Sequence, residues 1–243
     1  MTNQELKLIS NLRQKKYRKE HGAFIIEGKR LITTAVDYKA DVTTIYVTDL
    51  FQKSNIKLIN KFINEKLTIE SIASRQLEKV SLTKTPSGII AICKTPTNKK
   101  LDLDCNKWLY LDNISDPGNL GTILRSAAWF NYRQIALSSK SVDVYSPKVV
   151  RAAMGSHFGL SIYIGIDLAL FSSTHNLLGA DKVGKNFTQV TPPEKLVLVL
   201  GNEAHGLSEN YKKLLNQFIT IDKVGFGESL NVSSAAAILM NHF

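Results

Sequence analysis

Short apolar runs alternate with segments of helical period between residues 108 and 243. Trp108–Leu111, Ile135–Leu137, Ser161–Ile164, Leu177–Ala180, Lys195–Leu200 and Phe218–Ile221 read as strands. The run over 195–200 is nearly all Val and Leu, as in a strand covered on both faces. Gly118–Phe130 reads as a helix with Leu120, Ile123, Leu124 and Ala127 on one face. Pro147–Met154, with proline in its favoured first turn, Glu209–Leu215 and Asn231–His242 complete the helices. This order predicts an α/β domain built on a mostly parallel sheet with both faces covered. Such sheets bind ligands at the carboxyl ends of their strands.

The chain before residue 96 repeats the alternation on a smaller scale. Gln4–Glu20 has helical spacing at Leu6, Ile9 and Leu12, and Phe24–Ile26 is a short apolar run. Lys29–Val36 and Asn55–Asn64 read as helices. Thr43–Val47, Leu67–Ile69 and Gly88–Cys93 read as strands. Residues 1–95 therefore form a small α/β domain. The stretch over 96–107 holds Pro96, Asn98, Lys99, Lys100 and two aspartates, little that can pack, and reads as a linker to a domain over 108–243.

Charge separates the two parts. Residues 1–100 hold 19 Lys and Arg against 9 Asp and Glu, whereas residues 101–243 hold 12 of each, so the whole net charge of +10 sits in the first part. A basic domain joined to a neutral one suggests that one part attracts a polyanion. Arg13, Lys15, Lys16, Arg18 and Lys19 surround Tyr17, which supplies cations for phosphates and a ring for a base. A solvated helix face is the plainer reading. No apolar run approaches the roughly 20 residues of a membrane span, and Met1–Lys19 lacks the apolar centre of a secretory signal. Cys93 and Cys105 form no CxxC pair, which fits a reducing cytoplasm.

Three separated loops carry candidate chemistry. In the first, Asp116-Pro117-Gly118-Asn119 is turn chemistry, with Asn119 placed to cap a helix. Arg125 follows on that helix, beside an apolar stripe, where a cation can reach a phosphate or ribose or simply face solvent. In the second, Gly201 follows the strongest strand and lets backbone approach a ligand closely; Glu203 and His205 come next. In the third, Gly225–Asn231 leads into a helix whose first N–H groups Ser229 or Asn231 can satisfy. The GxGxxG fingerprint, the Walker A lysine and the GxSxG elbow are missing, and the five histidines form no HxxxH pair, so no metal site is expected. Any chemistry needs a cofactor carrying its own reactive group.

The segments Leu111–Arg125, Leu200–Ser208 and Glu228–Ala236 resemble the three signature motifs of the SpoU/TrmH branch of the SPOUT RNA methyltransferases. Pro147–Ser156 resembles the family's segment between the first two motifs, and Lys16–Leu31 the small α/β RNA-binding domain that many members carry in front. The resemblance implies an α/β-knot domain with a deep trefoil knot and a mostly parallel sheet, a homodimer, and S-adenosylmethionine bound within the knot loops. It implies methyl transfer to a ribose 2′-hydroxyl, most simply in ribosomal RNA; transfer RNA, or a catalytically silent RNA-binding protein, are the alternatives. Carried over by motif, Leu200, Gly201, Gly206, Ile221 and Leu230 hold the cofactor. Asn119, Arg125, Glu203 and Asn231 form the catalytic cluster, with Ser229 in support. Lys29 and Arg30 join the RNA-facing cations. Members often carry Ile-Pro-Met where this chain has Ile221-Asp222-Lys223. The family gives the arginine the role of base. A neutral guanidine at pH 7 is costly, so Arg125 is expected instead to hold phosphate and stabilise alkoxide.

Overall fold

The computed structural model describes residues 1–97 and 100–243. Asn98 and Lys99 of the expected linker lie outside the described residues. The chain forms two compact units: Met1–Thr97 with Tyr145–Phe158, and Asn98–Val144 with Gly159–Phe243.

The first unit opens with α1 (Asn3–Asn11) and α2 (Lys15–His21), so the expected single helix over 4–20 is two. Thr2 and Glu5 form a reciprocal cap at the start of α1, and Gly22 ends α2 in the left-handed conformation. There follow β1 (Ala23–Glu27), α3 (Lys29–Asp37), β2 (Val42–Val47), α4 (Asp49–Ser54), α5 (Ile56–Asn64), β3 (Ile69–Ser71), α6 (Ser74–Val80) and β4 (Ile89–Lys94). The sheet order is β1-β4-β2-β3, antiparallel except for β2 with β3. Ile9, Leu12, Ile25, Tyr46, Leu77 and Ile90 share its core.

The second unit runs β5 (Lys107–Leu111), α7 (Pro117–Trp129) and β6 (Gln134–Leu137). The next helix, α8 (Pro147–Ala153), belongs to the first unit. It packs on β1, with Gly155 so close to Thr34 that an added Cβ would come within 2.8 Å of that side chain. Then come β7 (Ser161–Ile164), β8 (Asn176–Asn186), β9 (Leu196–Leu200), α9 (Glu209–Lys212), β10 (Gln217–Thr220) and α10 (Val232–His242). The six strands lie in the order β10-β8-β9-β5-β6-β7 and are all parallel. β8 runs six residues past its expected end at Ala180, because Lys185 and Asn186 pair with β10 beyond a register shift. Central β9 is buried throughout and β5 from Trp108 onward, which explains their apolar runs. Among the described residues no helix is long and apolar enough to cross a membrane.

Candidate active site

The sheet order reverses direction between β5 and β9, and their carboxyl ends open at Asp112 and Gly201. Asp112 is buried. Its Oδ2 accepts the Ser208 N–H at 2.9 Å and hydroxyl at 2.6 Å, tying the chain after β5 to the start of α9. The Asp112 N–H donates to Leu200 O at 2.8 Å.

Asp116, and not Asn119, caps α7: its carboxylate accepts the Asn119 N–H at 2.7 Å, and Pro117 takes the first helical position. Asp before Pro is a helix-start signature that places Asn119 one turn inside the helix. From there the Asn119 side chain faces Glu203. Its Nδ2 donates to Glu203 Oε1 at 3.0 Å. The Asp116 N–H adds a bond to Oε1 at 3.3 Å. Ser115 donates to Oε2 from its hydroxyl at 3.1 Å and its N–H at 3.3 Å, and Asn202 Nδ2 reaches the same oxygen at 3.4 Å. Burial is the largest single influence on this carboxyl and opposes its charge. The donors from Asn119, its own N–H, Ser115 and Asp116 together outweigh it and hold the group below its ordinary value.

The third loop joins through Asn231, which caps α10. Its Nδ2 donates to Asn119 Oδ1 at 3.0 Å, while its Oδ1 accepts the Ser233 N–H at 2.8 Å and hydroxyl at 2.6 Å. The polarity of this chain is set at one end. An ionised carboxylate only accepts, so Asn119 must turn its NH₂ to Glu203 and its oxygen to Asn231. Asn231 must then turn its NH₂ to Asn119 and its oxygen to the helix start. One charge therefore orients two amides on loops over a hundred residues apart in sequence.

Arg125 stands outside this network. It is exposed and, among the described residues, its side chain makes no hydrogen bond or ion pair. Six residues along a helix put it about 9 Å further up the axis and about 120° round from Asn119. Ser229 is likewise exposed without a hydrogen bond among the described residues, since Asn231 does the capping.

Of the expected cofactor residues, Leu200 and Gly201 are buried at the end of β9, Ile221 is half-buried, and Gly206 and Leu230 are exposed. Gly201 has a different reason from the one expected. An added Cβ would lie 2.3 Å from Gly206 C and 2.4 Å from Leu207 N, so the backbone that approaches it is the chain's own. That return is held by Asn202, paired with Gly206 in both directions at 2.9 Å, whose side chain also accepts the Ala204 and His205 N–H groups. His205 is exposed on this turn. Between Asp222 and Leu230, among the described residues, no backbone–backbone hydrogen bond is made, so apart from Gly227 O, which accepts Lys223 Nζ at 3.2 Å, that loop offers its N–H and C=O groups. The Asp222 carboxylate faces Asn186 of β8. Among the described residues no group of His, Cys, Asp and Glu can hold a metal ion.

The cations of the first unit divide. Arg18 is buried, and its guanidinium donates to Leu12 O at 2.8 Å and Arg13 O at 2.7 Å, closing the turn between α1 and α2. This corrects its assignment to an RNA-facing surface. Arg13 donates to Ser81 O at 2.6 Å and Lys79 O at 3.2 Å, which ties α1 to the segment after α6. Lys15, Lys16, Lys19 and Arg30 are exposed, and Lys29 reaches Asn55 Oδ1 at 2.8 Å. Tyr17 stacks with His21 at 6.5 Å between ring centroids, and the Lys16 ammonium lies 5.7 Å from its ring. Ser115 and Asn202 have no role legible in the sequence, and Ser233 only that of a small residue permitting close packing. Their types are common in loops, and only the fold aims them at Glu203 and Asn231.

A fold of this class, with three loops meeting beside the strand-order reversal, matches known proteins over its whole length. The SpoU rRNA methylase family model matches residues 106–241, and an MRM3-like substrate binding domain matches residues 3–91. The chain belongs to the SpoU rRNA methylase family. Among relatives, the Bacillus subtilis 23S rRNA (guanosine(2553)-2′-O)-methyltransferase RlmP is 28% identical over 99% of this chain and 96% of its own. The Xenopus laevis mitochondrial rRNA methyltransferase 3 is 34% identical over 66% of this chain, which spans 39% of that protein. The crystal structure of an AdoMet-bound rRNA methyltransferase from Sinorhizobium meliloti is 25% identical, with a TM-score of 0.85 over all of this chain and 94% of that one.

Proposed function

We propose that this protein transfers a methyl group from S-adenosylmethionine to a ribose 2′-hydroxyl of ribosomal RNA. The observation that carries the reading is the Glu203–Asn119–Asn231 chain, which gathers the three motif loops around one oriented set of amides. S-Adenosylmethionine, when bound, supplies a methyl group on a sulfonium. The main chain at Ile221 and Leu230, on either side of the Asp222–Ser229 loop, and the exposed turn at Gly206 suit a purine and ribose read by main-chain groups. With Asp222 turned to Asn186, its charge is engaged by an amide donor and does not oppose that use.

Asn119 and Asn231 orient the ribose, and Glu203 holds both amides in their working sense. Arg125 holds the phosphate beside the target and stabilises the developing alkoxide through its planar fork. Lys15, Lys16, Lys19 and Arg30, with Tyr17, attract the RNA, with Lys29 beside them. The protein works as a homodimer. Trp129 at the end of α7 is 85% exposed and Ile238 of α10 is 38% exposed, and these two packed helices offer the face for a second copy. The chain after β9 reaches β10 on the far side of β8, then returns to lay α10 against α7. That path suits a trefoil knot. Its two free cysteines suit a reducing cytoplasm.

The test is ribose methylation mapped on ribosomal RNA from a strain lacking the gene, before and after incubation with the protein and S-adenosylmethionine. One new 2′-O-methyl site in large ribosomal RNA is the expected result. Transfer to transfer RNA alone, or none, overturns the reading.

A further inference from the structure

The loop between β10 and α10 carries two apolar side chains that nothing in the folded unit covers. Val224 and Phe226 are as exposed as in an extended peptide, at 100% and 102%. Fully burying a phenylalanine is favourable by about 1.5–3 kcal/mol, so a bare ring is a standing cost unless a partner covers it. The ring sits between Gly225 and Gly227. Neither glycine has any atom within 4 Å of where a Cβ would lie, and Gly227 has φ +115°. Lys223 Nζ donates to Gly227 O at 3.2 Å and folds the loop back on itself, placing a cation in the same turn as the ring. Glu228 follows, exposed.

The loop ends at Asn231, whose amide is fixed to Asn119 at 3.0 Å. Five residues of chain reach at most about 17 Å. Phe226 is thus tethered within about 17 Å of the Asn119–Asn231 pair, on a loop without backbone–backbone hydrogen bonds. Three planar or apolar partners are available there: the purine of the cofactor, a second copy of the chain, or a base of the RNA. The adenosine groups are assigned to main chain at Ile221 and Leu230, on either side of the loop and not at its tip. Every base has a face for stacking, so an RNA base held beside the reacting ribose fits an uncovered ring on this loop.

We infer that Phe226 is a substrate-contacting residue whose ring stacks on an RNA base next to the methylated ribose. This rests on the proposed function. Phe226→Ala, Phe226→Leu and Phe226→Trp are made in the full chain and assayed on ribosomal RNA from a strain lacking the gene. In the alanine variant KM for RNA rises about 5- to 100-fold, the range of one lost base stack, with kcat at saturating RNA little changed. Tryptophan restores KM and leucine does not, while calorimetric affinity for S-adenosylmethionine and sedimentation of the protein stay as in wild type. An unchanged KM in the alanine variant overturns the inference, as does full rescue by leucine. Lost cofactor affinity assigns the ring to the purine, and dissociation to monomers assigns it to the second copy; either overturns it too. Wild-type protein that leaves the RNA unmodified overturns the proposed function and the stack with it, whereas active wild type with an indifferent alanine variant overturns the stack alone.

Discussion

Replacing Glu203 with glutamine tests whether one charge orients the site. The change keeps the shape and removes the charge. Its two oxygens accept five hydrogen bonds at 3.0–3.4 Å. An amide must put an NH₂ against either the Ser115 and Asn202 donors or the Asp116 and Asn119 donors, so at least two bonds become donor against donor. Hydrogen bonds to charged groups contribute about 1.5–3 kcal/mol each when well buried. These are long and Glu203 is only half-buried, so solvent screening reduces the total to about 1–2 kcal/mol. Both tryptophans lie in the second unit and Trp108 is fully buried, so fluorescence follows that unit's unfolding. The urea midpoint at pH 7 should fall by about 0.5–1 M. The sign of the pH dependence is fixed. The folded carboxyl is held below its ordinary value, so its contribution is complete above the unfolded carboxylate range, about pH 4.3, and is lost as pH falls through the folded value. Wild type and variant should therefore converge as the pH is lowered. Methyl transfer should drop about 10²-fold, the cost of a misplaced positioning group. Equal midpoints at pH 7, or a gap that persists unchanged below pH 4, would refute the argument.

Arg125→Lys should lose methyl transfer by two orders of magnitude or more, since a point charge cannot replace the planar fork; near-normal turnover, with S-adenosylmethionine affinity intact, counts against the assigned role. Reversing Lys15, Lys16 and Lys19 to Glu in the full chain should lower the slope of log affinity against log salt by about 2–3 on ribosomal RNA. An unchanged slope moves the RNA surface elsewhere. Gly201→Ala drives a Cβ to 2.3 Å from the Gly206 backbone, so chemical denaturation should show a loss of about 1–3 kcal/mol or more together with lost cofactor binding. Gly206→Ala meets no atom within 4 Å and only the strain of φ +68°, about 1–2 kcal/mol, so it should fold and bind cofactor; the reverse ranking of the two variants would refute the packing argument.

What was legible in the sequence follows from the range over which each signal acts. The strands and helices of the second unit show in period and in turn residues because each is set within ten or so neighbours. Leu120, Ile123, Leu124 and Ala127 are all buried, as their spacing on one helical face required. Short or weakly patterned pieces were not visible. The α4 and α6 helices have six and seven residues, too few for a stripe to stand out, and the second half of β8 is an exposed Asp-Lys-Val-Gly-Lys run without alternation. Asp116 is legible as the cap, because Pro117 after it marks where the helix begins and leaves Asn119 inside. The burial of Arg18 was not legible. Its neighbours Lys16 and Lys19 are equally basic, and only the turn at Leu12–Arg13, with two carbonyls to satisfy, decides which cation goes inside.

The placement of α8 has a deeper cause. Pro147–Ala153 carries a good cap and a short apolar face, but its pattern does not say which sheet that face will cover. It packs on β1, with Gly155 against Thr34 in α3. The first unit is thus made of two chain segments separated by the 98–144 stretch. Cutting the chain at residue 95 would not isolate the basic part, because it would leave Val149, Val150 and Ala153 of α8 without the strand that covers them. Charge reversal in the full chain avoids that exposure. For that reason a loss of RNA affinity after truncation would say little about lysines, whereas the same loss in the Lys15, Lys16 and Lys19 variant, with the urea midpoint read by backbone circular dichroism over both units unmoved, can be assigned to charge alone.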